Sequence, residues 1–239
     1  MTMQRTPLLL WRLLDRGAQL APDEEVVTRT SAGPARQTLA QTRARATQLA
    51  GALQEAGIRE GDRVGTFLWN GARHLEAYQA LPSMGAVLHT LNIRLSPREL
   101  EYIINHAEDR VLLVDEDLLP LLEPLVGKLP SVERIVVAPD EGRLETGHPA
   151  PIAWDDFIAG QPEDSAWPEL DENAPMGLCY TSGTTGNPKG ATLTHCNILN
   201  NGYEAGKGMG LTPDDRLCIP VPLYHCFGMV LGVLAAVSH

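Results

Sequence analysis

The chain has 239 residues, 44% of them hydrophobic and 21% charged, enough to bury the core of one or two domains. Thirty acidic residues against 19 basic ones give a formal charge of −11, which argues against nucleic acid or an anionic membrane surface as the main partner. The apolar run Leu8-Leu9-Leu10-Trp11 meets Arg12 with no small-residue cleavage site, and residues 227–237 fall far short of the ~20 that span a bilayer; neither a signal peptide nor a membrane span is expected.

In chain order, residues 7–20 carry an amphipathic helical pattern, and residues 26–29 a short strand running into a turn at Ser31-Ala32-Gly33-Pro34. Thr38 with Gln41 forms a capping-box pattern. Leu39, Ala46, Leu49, Ala50 and Leu53 then share one helix face, and Gly57 ends it. Residues 63–69 read as a strand, 72–81 as a helix and 85–88 as a short buried strand. Ser96-Pro97-Arg98-Glu99 is a second helix start, with a serine cap, proline at the first helical position and glutamate as the box partner. Leu100, Ile103, Ile104 and Ala107 follow at i, i+3, i+4 and i+7, a core-facing stripe. A strand at 111–114, a helix at 118–126 and a strand at 132–137 continue the alternation. Such a pattern predicts an α/β fold, with layered, mostly parallel sheets flanked by helices.

The texture changes between Pro139 and Pro175, where six of the chain's 18 prolines fall among acidic residues. Only residues 152–158 are predicted to be ordered there, as a short helix. The organisation read from this pattern is a first α/β region at 1–138, a Pro-rich connection at 139–175, and a third region at 176–239. No internal repeat is present.

The chemistry is concentrated in residues 180–190, Tyr-Thr-Ser-Gly-Thr-Thr-Gly-Asn-Pro-Lys-Gly. Three glycines bare the backbone, Thr181, Ser182, Thr184 and Thr185 add hydroxyls, and Lys189 adds one mobile positive charge. A polyanion takes hydrogen bonds from bare amides and hydroxyls and a point charge from lysine, whereas a core has no use for that composition. Residues 176–180 form a short apolar run suited to a buried strand. Residues 191–203 contain Leu193, Ile198 and Leu199 and are predicted to close into a helix. Strand, glycine-rich turn and helix would aim unpaired amides at a phosphate. The competing account is a surface hairpin or linker, but linkers are Gly/Ser repeats without a fixed Pro-Lys-Gly end.

Other features carry less. Gly202-Tyr203-Glu204-Ala205-Gly206-Lys207-Gly208 is one residue too short for a Walker A loop and has glycine where the Ser/Thr belongs; a helix ending in glycines is the sounder account. The acidic clusters Asp23-Glu24-Glu25, Asp115-Glu116-Asp117, Asp155-Asp156 and Asp214-Asp215 are read as helix starts that complement the helix dipole, Thr212-Pro213-Asp214-Asp215 above all. Cys179, Cys196, Cys218 and Cys226 have no Cys-x-x-Cys spacing, and His195-Cys196 and His225-Cys226 are adjacent pairs that a strand turns to opposite faces. No metal site is expected, and reduced thiols in a cytoplasmic protein account for them. His74, His89, His106 and His148 show no recognisable partners and are read as structural or solvated.

The 180–190 stretch resembles the phosphate-binding signature of the acyl-adenylate-forming enzymes, a family of acyl-CoA synthetases, luciferases and adenylation domains. Every position matches the pattern of a hydroxyl-rich run, Gly, two hydroxyl residues, Gly, any residue, Pro, Lys, Gly. Pro222-Leu223-Tyr224-His225-Cys226-Phe227-Gly228 is similar to the family's Pro-Leu-aromatic-His segment beside the acyl pocket. Gly61-Asp62-Arg63-Val64 and Asn92-Ile93-Arg94-Leu95 resemble the N-terminal region of acyl-CoA synthetases.

The resemblance implies an ATP-dependent carboxylate–CoA ligase. A carboxylate attacks the α-phosphate of Mg-ATP to give acyl-adenylate and pyrophosphate, and the thiol of coenzyme A then displaces AMP. It assigns Thr181, Ser182, Gly183, Thr184, Thr185, Gly186 and Lys189 to the ATP phosphates, and Tyr224, His225, Phe227 and Gly228 to the acyl pocket. ATP, Mg²⁺ and coenzyme A are the implied cofactors and substrates, with a fatty or related acyl acid as the carboxylate. The family's Tyr-Gly-x-Thr-Glu and Tyr-x-Thr-Gly-Asp blocks are not found, nor is the catalytic lysine of its C-terminal domain. The chain is therefore expected to be an incomplete N-terminal part with no full catalytic set, not competent for turnover alone, and prone to self-association through exposed apolar surface. The alternative is a non-catalytic nucleotide-binding or interaction module of the same descent.

Overall fold

The computed structural model describes residues 6–138, 151–181 and 186–239. The first helix, α1 (Leu10–Leu20), leads into an antiparallel hairpin of β1 (Glu25–Thr30) and β2 (Gly33–Thr38). Sequence predicts the first strand of that hairpin but not the second, because Pro34, Arg36 and Gln37 carry no apolar alternation. Thr38 then caps α2 (Leu39–Glu55) with the predicted box, its hydroxyl accepting from the Gln41 N–H while the Gln41 side chain accepts from Thr38.

Parallel strands alternate with helices from there. β3 (Arg63–Phe67), α3 (Ala72–Ser83), β4 (Val87–Thr90), α4 (Pro97–Ala107) and β5 (Val111–Asp115) follow in turn. Residues 116–128, where one helix is predicted, are broken into 3₁₀ turns around the single α-turn α5 (Leu119–Leu122). Pro120 and Pro124 each remove a helical N–H, which accounts for the interruption. β6 (Arg134–Ala138) comes next. The predicted 152–158 helix divides into β7 (Ile152–Ala153) and α6 (Trp154–Ile158).

Among the described residues the main sheet has seven strands in the order β7-β6-β5-β3-β4-β8-β9, parallel throughout except for the last pair. The chain steps from β3 outward to β4, then returns to the other side of β3 for β5. That reversal puts α3 and α4 on opposite faces. Alternate residues of each strand consequently enter different cores. Val64, Val111, Leu113 and Val136 pack with α1, α2 and α3, whereas Leu112, Val114, Ile135 and Val137 pack with α4 and residues 118–129.

The Pro-rich stretch is tied in where it is described. Trp154 is fully buried and its indole N–H donates to Glu76 Oε2 (3.1 Å). Glu76, itself buried, also takes Arg45 (2.8 Å) and Arg73 (3.1 Å), and both arginines reach Asp155 of α6. An uncompensated carboxylate at that depth would be costly, so the two guanidiniums and the indole are what permit it. No helix among the described residues is long and apolar enough to cross a membrane.

Candidate functional site

β8 (Pro175–Thr181) lies beside β4 and pairs antiparallel with β9 (Lys189–Thr194), after which α7 (His195–Met209) begins. The two ends of the 180–190 stretch are thus paired as strands of a hairpin at the sheet edge, not laid out as strand and helix. The predicted helix start is displaced because Thr192 and Thr194 favour extended backbone and Leu193 alternates inward. Thr194 also forms its own capping box with Asn197, and that is what opens α7. Amides at a helix N-terminus therefore play no part in the loop's chemistry. What remains is the hairpin backbone, the hydroxyls and the lysine.

Thr181 stands opposite Lys189 in the ladder, and its hydroxyl donates to the Lys189 carbonyl (3.4 Å). Both side chains are exposed, and Lys189 makes no ion pair among the described residues. Gly186, also exposed, has φ +112°, a conformation that a side chain would strain. Ser182, Gly183, Thr184 and Thr185 lie outside the described residues. Gly190 allows a close approach: a Cβ there would come within 2.9 Å of Leu178 Cδ1 and 3.3 Å of the Tyr180 ring.

Tyr180 is held from beneath. Its hydroxyl lies 2.6 Å from His106 Nδ1, and its ring sits 5.0 Å from that of His89. His89 and Asp109, both fully buried, meet at 2.7 Å. Burial, with Asp109 nearby, pushes the Tyr180 phenol up to about 12. Burial likewise raises the Asp109 carboxyl, with His89 opposing. The histidines expected to lack partners therefore have them. His74, fully buried, sits 3.2 Å from Thr66 Oγ1 and 3.1 Å from the Trp69 carbonyl, and burial lowers its pKa to about 4. His195 Nδ1 accepts from the Leu10 N–H, and burial lowers it to about 4 as well. His148 lies outside the described residues.

The second motif sits in an irregular loop leading into a π-helical segment, Phe227–Leu234, which closes on α8 (Ala235–Val237). Thr212-Pro213-Asp214-Asp215 starts no helix: the Asp215 carboxylate takes the Thr212 N–H and hydroxyl (2.8 and 2.9 Å), closing a single turn. Ile219, Pro220, Val221 and Pro222 downstream cannot continue it. Asp23-Glu24-Glu25 is likewise a turn entering β1, while Asp155 and Asp156 do sit in the first turn of α6. The Walker-like glycines run inside α7, which ends on Gly210 in the left-handed conformation.

This loop is clamped by residues from the other end of the sequence. Asn70, between β3 and α3, donates from Nδ2 to the carbonyls of Ile219 (3.1 Å) and Val221 (2.8 Å), and its Oδ1 accepts from the Leu223 N–H (2.8 Å). The Tyr78 hydroxyl donates to the Leu223 carbonyl (2.9 Å). Tyr224 is half-buried, His225 exposed, and Phe227 54% exposed. His225 Nδ1 accepts from the Phe227 N–H (3.2 Å), bracing its own turn. Gly228 is buried, and any Cβ there would lie inside the contact shell of the Pro222 carbonyl. Sequence reasoning missed Asn70 and Tyr78, since Trp69-Asn70-Gly71 reads as an ordinary turn.

The second motif meets the strand that leads into the first. Cys226 of the loop lies 3.8 Å, sulfur to sulfur, from Cys179 of β8, two residues before Thr181. A cleft of about 1200 Å³ opens between the β1–β2 hairpin, α2 and the carboxyl ends of β3 and β5, lined by Arg36, Arg45, Asn70, Arg73, Asp115 and Tyr224 among others. That is the crevice where a sheet of this winding receives ligands. Thr181, Gly186 and Lys189 stand outside its lining.

Fold and site together define a doubly wound α/β protein with a glycine- and hydroxyl-rich hairpin at one sheet edge and a cleft at the carboxyl ends of central strands. Residues 14–239 match the AMP-binding enzyme family, and the chain belongs to that family. It is 43% identical over 227 residues to a long-chain-fatty-acid–CoA ligase of Thermus thermophilus, covering 94% of this chain and 40% of that protein. It is 37% identical to a medium-chain-fatty-acid–CoA ligase of Ectopseudomonas oleovorans, covering 93% and 42%. Among solved structures it resembles the anthranilate–CoA ligase AuaEII in complex with anthranoyl-AMP, with TM-score 0.88 and 26% identity over 99% of this chain and 44% of that one. ATP-bound MatB from Rhodopseudomonas palustris superposes with TM-score 0.77 at 27% identity, covering 95% and 43%. The chain spans about 40% of the length of the curated relatives it matches.

Proposed function

We propose that this chain supplies the phosphate-holding and acyl-side elements of an ATP-dependent carboxylate–CoA ligase that works through an acyl-adenylate. The observation that carries this reading is the contact of Cys226 with Cys179, which sets the Tyr224–His225 turn against the strand that feeds the phosphate hairpin. A carboxylate held on the first and a nucleotide held on the second would meet across that contact. The attacking oxygen is already charged, so rate comes from alignment and from neutralising the departing pyrophosphate rather than from a strong base.

Thr181, Ser182, Gly183, Thr184, Thr185, Gly186 and Lys189 are assigned to the β- and γ-phosphates. The fit rests on donor chemistry: the Thr181 hydroxyl and the Lys189 ammonium are exposed, with no acidic neighbour bonded to them among the described residues, and the sequence adds the hydroxyls of Ser182, Thr184 and Thr185. Tyr224, His225, Phe227 and Gly228 are assigned to the acyl side, Gly228 through its backbone, with Asn70 and Tyr78 holding the turn. Mg²⁺ in this reading enters on the nucleotide's phosphates. Coenzyme A is the expected acceptor, and the four free thiols suit a cytoplasmic setting.

ATP binding by calorimetry, and pyrophosphate exchange in a ligase containing this region, test the proposal. Lys189→Ala and Thr184→Val should each weaken transition-state stabilisation by about 1–3 kcal/mol, the range for a lost charged or buried hydrogen bond. Unaltered kcat/KM in both variants would remove the phosphate assignment. Nucleotide binding without exchange on any carboxylate would leave a binding module.

A further inference from the structure

We propose that Cys226 and Cys179 form a peroxide-sensitive dithiol, a modification site at which Cys226 is oxidised first and Cys179 resolves it into a disulfide. The two residues are 47 apart in sequence and belong to different elements, yet their sulfurs are 3.8 Å apart. A disulfide needs about 2.05 Å, a closure within reach of side-chain rotation and small loop movement. Cys226 lies on a turn next to exposed residues on both sides, whereas Cys179 sits in a strand bonded on both edges. Partial exposure lets a small oxidant reach the pair.

The environment separates the two roles. The Cys179 thiol hydrogen-bonds to Cys226 and His225 is its sequence neighbour, and together they lower the Cys226 thiol against the opposing effect of burial. The same contact, with burial, raises Cys179. Thiolate is the nucleophile in peroxide chemistry. Thr90 Oγ1, 3.4 Å from Cys179 Sγ, holds the resolving sulfur on the facing side.

The steps balance. The Cys226 thiolate attacks one oxygen of hydrogen peroxide and the O–O bond breaks. Cys226 becomes the sulfenic acid, and the released hydroxide takes up a proton to leave as water. The Cys179 sulfur then attacks Cys226, the S–O bond breaks, and the hydroxyl departs with the Cys179 proton as a second water. Two thiols and one peroxide give one disulfide and two waters, with two electrons passing from sulfur to oxygen. The product would tie the 219–228 loop covalently to β8. This step does not depend on the ligase reading.

The test is to treat the reduced chain with hydrogen peroxide, alkylate the remaining thiols, and map the disulfides in a digest cut after Tyr224, which separates Cys218 from Cys226. Alkylatable thiols should fall from the four free cysteines to two, with a peptide joining Cys179 to Cys226, and dithiothreitol should restore all four. In Cys179→Ser, a sulfenic-acid trap such as dimedone should label Cys226, because the resolving thiol is gone. Four thiols surviving excess peroxide, or linkage through Cys196 or Cys218 in place of this pair, overturns the proposal. So does dimedone labelling of Cys218 with Cys226 unmarked. The wild-type map stands even where a variant fails to fold.

Discussion

The β8–β9 hairpin and the 219–228 loop carry the two sequence motifs, and they are built in opposite ways. The hairpin is held at its stem by an antiparallel ladder, and Thr181 and Lys189 at its described end are exposed, bonded to each other by one hydrogen bond. The loop has no ladder; Asn70 from the β3–α3 connection and Tyr78 of α3 hold its backbone, and a glycine seals it against Pro222. Groups meant for an external anion must be left unsatisfied by the protein, whereas an irregular backbone needs partners of its own. Substitutions should therefore damage binding on one side and stability on the other.

The largest effect is expected at Gly228. Gly228→Val drives a side chain into backbone that cannot yield and should cost about 3 kcal/mol or more, read as a lower urea midpoint. Gly190→Ala meets only the movable ends of Leu178 and Tyr180 and should cost about 1 kcal/mol. Equal losses would break the contrast. Next comes Asn70→Ala, which strands three backbone groups and should cost about 2 kcal/mol, with Tyr78→Phe, one hydrogen bond, at roughly half that. A wild-type midpoint for Asn70→Ala would show the clamp to be ornamental.

Acid should act on the clamped side too. His74, bonded to the Trp69 carbonyl and packed against the Tyr78 ring, has its pKa lowered by burial to about 4. Between about pH 6.5 and pH 4 the unfolded chain binds the proton that the folded chain refuses, so stability present at neutral pH is lost as pH falls. From pH 7 to 5 that loss is on the order of 1–2 kcal/mol for His74, and His195 adds in the same direction. Asp109 runs the other way, because its raised pKa favours the folded state on acidification. His74→Gln should flatten the pH dependence of the urea midpoint; an unchanged slope would locate the acid sensitivity elsewhere. The smallest effect is Lys189→Ala, expected to shift stability by no more than about 0.5 kcal/mol despite its effect on nucleotide binding.

Much of this was legible in the residues. The Thr38–Gln41 and Ser96–Glu99 capping boxes form as read, and the stripe Leu100, Ile103, Ile104, Ala107 is buried as its spacing requires. Misreadings fell where local signals were ambiguous. Residues 191–194 run straight into a helix and carry too short an alternation to be separated from it until the antiparallel pairing with β8 is known, and Thr212–Asp215 has the chemistry of a cap with no helix behind it.

The layered α/β class and the gathering of glycine, hydroxyl and lysine at residues 180–190 were readable from the residues alone, because periodicity and composition are local properties. Only the tertiary structure decided that the hairpin stands at a sheet edge, that Asn70 grips a loop 149 to 153 residues away, and that Cys179 meets Cys226. Those contacts follow from the return of the chain across the sheet to lay β8 beside β4. No window of neighbouring residues encodes such a return; it is set by burying both faces of the strands at once.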